Sequence, residues 1–464
     1  MRANRFSDIR FLGVIAVILA ISWSWLSNSA QAGRHAPETL TWQIETIDTT
    51  GDVGQYTSLA LKPGTEDPYI SYYDNTQGDL KLAFPVSGGG DCGPANTWSC
   101  NSLYFPNTAD FGTFTSLDFN SLGHWGIVYG NLLSGVNEFR GSPAVGQELF
   151  FEPIEDGPNS VFVISHSMQY APNDVSYLSY GLIDVSQTKG FVKLAHYVGF
   201  GQGNCGGTFW QCEQIVQTSY DYFVIYTSLA LPGIPYIFYR DINNHLSMAF
   251  PGFGNCGPSN TWICTELDNT IDVNGFISSF ATDGNLLGVA YIGDDSLRFA
   301  SQDSQGNCGS DPIYFQCSII DSVGPAPNNA YMAVSLGVYN GQPIIAYTDT
   351  NDRSGIAVLK IAYPQTDGNC GPLDTNLQHT WRCEVVDDGN NTNDVGYYPS
   401  LQVDSVGNIH ISYYDLSAKD LKYAVSDTPI NPTPTPTSTP SITPTATPTA
   451  GALGHWVYLP LVIR

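Results

Sequence analysis

Positive charge is scarce in this chain of 464 residues. Its 17 Lys and Arg face 43 Asp and Glu, a formal charge of −26 at neutral pH. A surface of that sign repels nucleic acid and anionic lipid, so neither is an expected partner, whereas a divalent cation such as Ca²⁺ is compatible with it. Long apolar runs are also lacking. Phe11–Ile21 is short for a membrane span, and the apolar end His455–Ile463 is shorter still. Catalytic signatures are missing as well. There is no Gly-x-Ser-x-Gly elbow and no His-Glu-x-x-His pair, and the 8 His are scattered. Gly199, Gly201 and Gly203 lie in a turn with no helix after it, which excludes a nucleotide-binding loop. Paired carboxylates for glycoside hydrolysis meet in space and not in sequence, so that chemistry stays open.

What is present starts with an address. Arg2, Arg5 and Arg10 precede the Phe11–Ile21 run, and Ala30-Gln31-Ala32 follows as a small-x-small cleavage pattern. Residues 1–32 therefore read as a secretory signal peptide. No Cys precedes Cys92, which excludes a lipid-modified N-terminal cysteine. At the other end, 427–450 is a Pro/Thr-rich linker of polyproline type, and 451–464 is a short apolar tail. This stalk, with Tyr458-Leu-Pro-Leu-Val462 behind it, resembles the ends of exported proteins from Chloroflexota-type bacteria. The expected location is secreted or attached to the bacterial cell surface.

Between the ends runs a repeat. A first strand recurs as Tyr56-Thr-Ser-Leu-Ala-Leu61, Phe114-Thr-Ser-Leu-Asp-Phe119, Tyr226-Thr-Ser-Leu-Ala-Leu231 and Tyr398-Pro-Ser-Leu-Gln-Val403. A second recurs as Pro68-Tyr-Ile-Ser-Tyr-Tyr-Asp74, Pro235-Tyr-Ile-Phe-Tyr-Arg-Asp241, Pro343-Ile-Ile-Ala-Tyr-Thr-Asp349 and Ile409-His-Ile-Ser-Tyr-Tyr-Asp415. A third carries a cation at Lys81, Lys193, Arg298, Lys360 or Lys422, and a fourth opens on Trp98, Trp210, Trp262 or Trp381. Four short strands per unit, separated by turn residues, predict propeller blades. First strands start near Tyr56, Phe114, Val161, Tyr226, Phe276, Met332 and Tyr398. The expectation over 41–426 is an all-β, seven-bladed β-propeller, with six or eight blades left open. The last unit stops after three strands near Val425, and Thr41-Trp-Gln-Ile-Glu-Thr-Ile-Asp48 supplies the missing fourth. An N-terminal strand closing the last blade removes exposed edges.

The ten cysteines fall into five local pairs: Cys92 with Cys100, Cys205 with Cys212, Cys256 with Cys264, Cys308 with Cys317, and Cys370 with Cys383. Each first member is followed by Gly, and each second follows an aromatic by two residues. One pair at one place per blade, in an exported chain, predicts disulfides within each turn and not zinc sites.

Candidate site residues follow from the face on which the blades connect. Asp74, Asp241, Asp349 and Asp415 end second strands there, beside Tyr73, Tyr239, Tyr347 and Tyr414. As a rim they suit a carbohydrate or Ca²⁺; the alternative is that each Asp caps its own turn. The third-strand cations read as structural, paired with nearby acids. Departures from the repeat are Arg240, Arg140, Arg353, His124 and Trp125.

The layout of third strand, Gly/Asp-rich turn and Thr-Trp opening the fourth resembles the Asp-box (BNR) propellers of the sialidase superfamily, with Ser301-Gln-Asp303-Ser-Gln-Gly306 nearest to the box itself. That resemblance implies a carboxylate-binding arginine triad, for which Arg140, Arg240 and Arg353 are the candidates. The leading expectation is a monomeric, non-catalytic recognition propeller for carbohydrate or an extracellular protein, without a bound cofactor. A glycoside hydrolase or lyase on the same fold, or a purely structural surface protein, are the alternatives.

Overall fold

The computed structural model describes residues 39–430, apart from the segments 104–110, 132–134, 142–149, 157–160, 220–225, 271, 282–286, 311–312, 326–332 and 352–354. The signal segment, the tail and nearly all of the Pro/Thr stretch lie outside the described residues, as does Arg353.

The described strands form seven antiparallel sheets in a propeller arrangement. Sheet 1 is Val53–Leu61, Pro68–Asp74, Asp79–Pro85 and Trp98–Ser102, from inner to outer strand. Sheet 2 is Phe111–Phe119, Trp125–Asn131, Gly135–Gly141 and Phe150–Asp156; sheet 3 is Val161–Tyr170, Ser176–Asp184, Lys189–Tyr197 and Trp210–Ser219. Sheet 4 is Thr227–Ala230, Tyr236–Arg240, Leu246–Cys256 and Trp262–Asp268. Sheet 5 is Val273–Ala281, Leu287–Gly293, Ser296–Gln302 and Ile313–Ser322, with the short Cys308–Ser310 at its edge. Sheet 6 is Val334–Tyr339, Gln342–Asp349, Val358–Leu373 and His379–Asp387. Sheet 7 is Tyr397–Val403, Ile409–Asp415 and Asp420–Ser426, completed by Trp42–Asp48 from the start of the chain. Each inner strand touches the next, and that of sheet 7 touches that of sheet 1. The expected closure is present, with Trp42 opposite Ser426 and Thr46 opposite Lys422.

The Ser of the first-strand motif joins neighbouring sheets. Ser58 Oγ accepts from Leu117 N at 2.9 Å, Ser116 Oγ from Met168 N at 3.0 Å, and Ser335 Oγ from Leu401 N at 2.9 Å. Ser400 Oγ accepts from Leu59 N at 2.9 Å, which carries the pattern across the closure. These bonds satisfy inner-strand amides that have no ladder partner on the axial side.

A second link is ionic. The carboxylate at the end of one sheet's outer strand meets the second-strand Tyr and third-strand cation of the next sheet. Asp48 accepts from Tyr72 at 2.7 Å and Lys81 at 2.5 Å; Asp321 accepts from Tyr347 and Lys360, both at 2.7 Å. Asp387 accepts from Tyr413 and Lys422, and Asp268 from Tyr291 with Arg298 at 3.9 Å. The cations expected to be structural are therefore so at these four positions. Burial opposes ionisation of Asp48 and Asp387, but their Lys and Tyr partners outweigh it and hold both below the usual carboxylate range.

All five expected disulfides are formed, Cys92–Cys100, Cys205–Cys212, Cys256–Cys264, Cys308–Cys317 and Cys370–Cys383, with Cα separations of 5.9–6.0 Å. Each bridge spans the turn between the third and the outer strand, as the recurrence of the pairs implies. The second cysteines Cys100, Cys212, Cys264, Cys317 and Cys383 lie inside the outer strand, opposite Ala83, Ala195, Ala249, Ala300 and Ala362 of the third. Each bridge therefore folds the turn back over the strand that follows it. The residue before the first Cys fixes that fold. Asn204, Asn255, Asn307 and Asn369 each accept from the amide of Cys212, Cys264, Cys317 or Cys383 at 2.7–2.8 Å and donate to the same residue's carbonyl at 2.9–3.0 Å. In sheet 1 Asp91 accepts from Cys100 N at 2.8 Å.

The Gly after each first Cys has a physical reason. Gly93 sits at φ 73°, and a Cβ there would lie 2.4 Å from the Trp98 ring, while its amide reaches Ile47 O of sheet 7 at 2.7 Å. The turn thus packs on the neighbouring sheet and on its own Trp.

Lys360 is buried between Asp321 and Asp349, 2.7 and 2.9 Å away. Lys360→Met should lower stability by about 3–5 kcal/mol, because it leaves the buried Asp349 and the half-buried Asp321 uncompensated. The midpoint of urea unfolding reads this out, and adding Asp321→Asn should recover part of the loss. An unchanged midpoint in Lys360→Met would contradict the ionic link.

Candidate functional site

The inner strands of sheets 7, 1 and 2 share a motif one step upstream of the Thr-Ser-Leu pattern, namely Gly54-x-Tyr56, Gly112-x-Phe114 and Gly396-x-Tyr398. Each Gly has a positive φ, and a Cβ would lie 2.7–2.8 Å from the backbone of Leu421, Leu80 or Leu359. The strand then bulges, and the aromatic two residues on also takes a positive φ, 54° at Tyr56, 54° at Phe114 and 50° at Tyr398. Bulky side chains avoid this region, and a bulge re-aims the residue that it displaces. The result is an aromatic arc at the axial mouth. The Tyr56 ring centroid is 4.4 Å from that of Phe114 and 4.6 Å from that of Tyr398.

The arc borders an axial cavity of about 170 Å³. Thr57 and Thr115 lie below the aromatics, and sheets 3 and 4 supply the opposite wall with Ser165, His166, Ser167, Thr227 and Ser228. Thr57 Oγ1 donates to Tyr398 O at 2.9 Å and Thr115 Oγ1 to Tyr56 O at 2.8 Å, so these hydroxyls also tie the arc's backbones together. His166 takes the place of this Thr in sheet 3. It is 9% exposed, and among the described residues neither ring nitrogen has a hydrogen-bond partner within bonding geometry. Burial pulls its pKa down to about 3, outweighing the opposing pull of the nearby Thr113 backbone. The ring is neutral, so one nitrogen donates and the other accepts.

The residues singled out in the second strands lie beneath this mouth or away from it. Tyr73 and Tyr414 are buried at 4% and 2% exposure and back the arc, with ring centroids 6.2 Å from Tyr56 and 6.4 Å from Tyr398. Tyr414 Oη donates to Asp52 at 2.6 Å. Asp74, Asp349 and Asp415 are buried and cap their turns, accepting from Thr76 N, Asn351 N and Ala418 N at 2.7–2.9 Å. Tyr347 is fully buried in the ionic link to Asp321. Tyr239 is buried, and desolvation pushes its hydroxyl well up. Asp241 caps its turn through Asn243 N and His245 N at 2.8 and 3.0 Å, and Arg240 donates to Asn244 at 2.6 Å. The expected carboxylate rim is thus a set of turn caps, because the alternating pleat points each Asp into the turn that it closes. No arginine triad is assembled among the described residues: Arg353 and the side chain of Arg140 lie outside them. Trp125 is buried and His124 exposed on the second sheet.

The disulfides stand apart from the mouth. Cys100, Cys212, Cys264, Cys317 and Cys383 belong to outer strands, and none of them or their partners lines the axial cavity. They are structural and contribute no ligand contact there.

His166, Tyr56, Phe114 and Tyr398 were not singled out from sequence. The available signals were the Gly-x-aromatic spacing and a His standing where the first strands of sheets 1, 2 and 4 carry Thr.

A larger groove of about 880 Å³ runs along the outside between sheets 5 and 6. Its carboxylates Asp268 and Asp321 are those of the ionic links, already bonded to Tyr291, Tyr347 and Lys360.

No protein-family model matches the chain, and no curated protein matches it in sequence. Among solved structures it is similar to the Aleuria aurantia lectin in complex with Fucα1-6GlcNAc, at 12% identity and TM-score 0.40 over 72% of this chain and 96% of that one. It is also similar to the NanB sialidase from Streptococcus pneumoniae, at 8% identity and TM-score 0.39 over 84% and 95%. The native Bacillus subtilis arabinanase is similar at 13% identity and TM-score 0.33 over 67% and 92%. Likeness this distant leaves ligand and reaction to be argued from the chain's own site.

The depressed pKa of His166 has a sign for stability. The folded ring binds fewer protons than the unfolded one between about pH 6.5 and about pH 3, so its contribution is complete above that window and is lost as pH falls through it. His166→Asn should therefore lose several degrees less of its melting temperature than the parent between about pH 7 and about pH 4.5. Superimposable pH profiles for the two proteins would show that the ring is not held neutral by burial.

Proposed function

We propose that the chain is an exported recognition propeller that binds a carbohydrate, one sugar ring seated in the axial mouth. The observation that carries this reading is the division of the cavity into an aromatic arc and a polar arc facing it. A pyranose ring has the same two-sided character. Its C–H face stacks on Tyr56, Phe114 or Tyr398, and its hydroxyls exchange hydrogen bonds with the neutral imidazole of His166 and the hydroxyls of Ser167, Thr227 and Ser228. At about 170 Å³ the cavity is smaller than the several hundred Å³ of a drug-sized pocket, which favours a single terminal ring over a long polymer.

Charge refines the ligand class. The chain carries −26, and the cavity lining among the described residues holds no Lys or Arg. Neutral sugars are favoured, and sialylated or uronic ones are disfavoured. The same lining holds no Asp or Glu among the described residues, whereas glycoside hydrolysis ordinarily needs two carboxyl groups flanking the bond. The reading is accordingly recognition and not cleavage. Five disulfides support an oxidising compartment, in keeping with export. No helix among the described residues is long and apolar enough to cross a membrane.

The test is a glycan array followed by titration calorimetry with the neutral sugar that scores highest. Tyr56→Ala and His166→Ala should each weaken binding at least about tenfold, the loss of one stacking face or one hydrogen-bond pair, about 1.4 kcal/mol. Melting temperatures measured alongside separate lost binding from lost folding. An array without hits, hits confined to sialylated glycans, or affinities unmoved by both substitutions in folded protein would overturn the proposal.

A further inference from the structure

In sheet 4 two departures from the repeat meet a residue that the repeat keeps. Asp241 directly follows the second strand, His245 directly precedes the third, and Glu266 lies near the end of the outer strand. One ligand atom from each lies within 4.8 Å of the others, and His245 Nδ1 is 3.4 Å from Glu266 Oε1. An Asp at the end of the second strand recurs in the array, but its two companions do not. The residue two before the third-strand cation position is Asp79, Ser296, Val358 or Asp420 in sheets 1, 5, 6 and 7, and His only here. The outer-strand residue opposite that cation position is Ser102, Pro153, Gln214, Ile319, Val385 or Thr46 in the other sheets, and a carboxylate only here.

The cation itself is also replaced. Ser247 stands where Lys81, Lys360 and Lys422 stand, and Val216 of sheet 3 stands where Asp48, Asp268, Asp321 and Asp387 stand. The Lys that would otherwise neutralise Asp241 is thus gone, and an imidazole and a second carboxylate have been added.

We infer that Asp241, His245 and Glu266 form a site for a divalent transition-metal ion of the Zn²⁺ type. The donor set is two carboxylate oxygens and one imidazole nitrogen, which suits Zn²⁺ and not Ca²⁺, an ion that takes six or more oxygens. Ligands about 2.0–2.1 Å from a tetrahedral ion stand about 3.4 Å apart. The His245–Glu266 pair already meets that spacing, and Glu266 is exposed, so its side chain is free to close the remainder. The carboxylates are oriented from behind, Asp241 Oδ2 by Ser247 Oγ at 2.9 Å and Glu266 Oε2 by Asn269 Nδ2 at 3.3 Å. Ligating carboxylates require this kind of outer support. Three protein ligands leave one position open to water or to a group on a bound partner.

The test is calorimetric titration of the chelator-stripped, purified full chain with ZnCl₂ and separately with CaCl₂, with metal content measured by mass spectrometry. One Zn²⁺ per chain is expected, with Ca²⁺ bound at least tenfold more weakly. His245→Ala and Glu266→Gln, both outside the core, should each weaken Zn²⁺ binding at least tenfold. Zn²⁺ should raise the melting temperature of the parent and leave that of both variants unmoved. Co²⁺ should give a visible absorption band in the parent that is lost in His245→Ala. Failure of the parent to take up Zn²⁺, tighter binding of Ca²⁺, or equal Zn²⁺ affinity in parent and both folded variants would overturn the site.

Discussion

In this propeller the carboxylate that ends one sheet's outer strand is neutralised by the next sheet. Asp48, Asp268, Asp321 and Asp387 each sit against a Tyr hydroxyl and a cation across the junction. Packing two sheets without these partners would bury an uncompensated charge, so at these four junctions the carboxylate is compensated only by the neighbouring sheet. The chain keeps acid and base together. Where sheet 3 ends its outer strand in Val216, sheet 4 carries Ser247 in place of the cation, so both partners across that junction are lost as a pair. In a chain with only 17 Lys and Arg, this use of several of them is a measure of how much the junctions depend on it.

Because the junctions and the inner Ser–amide bonds hold the ring, strain is tolerated at the axis. Three aromatic residues in the left-handed region stand side by side on sheets 7, 1 and 2, each behind a Gly pressed on a neighbouring strand's backbone. The buried, neutral imidazole of His166 faces them. Costs of this kind persist only where the surroundings over-determine them, and they concentrate where ligands are held. The same division of labour runs through the rest of the chain. Residues repeated in most sheets build the ring, whereas His166 lines the axial cavity and His245 and Glu266 meet beside Asp241.

Strand positions were legible because each unit repeats its turn residues and its apolar periodicity. Cysteine pairing was legible because every pair recurs at one point of the unit. The Trp-x-Cys opening of the fourth strand also placed Cys212, Cys264 and Cys383 inside the outer strand. The second-strand aspartates were half legible. Their recurrence marked a common place, but only the turn geometry showed that Asp74, Asp349 and Asp415 spend their oxygens on backbone amides. The aromatic arc was hidden by the assumption of regular alternation. A bulge at Tyr56, Phe114 and Tyr398 changes which face a side chain takes, and periodicity alone has no means of placing it.

The amino-acid order by itself therefore determined the class of fold, the local disulfides and the closure of the last sheet by Trp42–Asp48. Each of these depends on contacts within a unit or on a pattern common to all units. The tertiary structure alone decided which side chains meet across units. Tyr56 and His166 come from inner strands two sheets apart. Their meeting is set by the curvature of the ring and the register of its strands, quantities that no local spacing in the chain encodes.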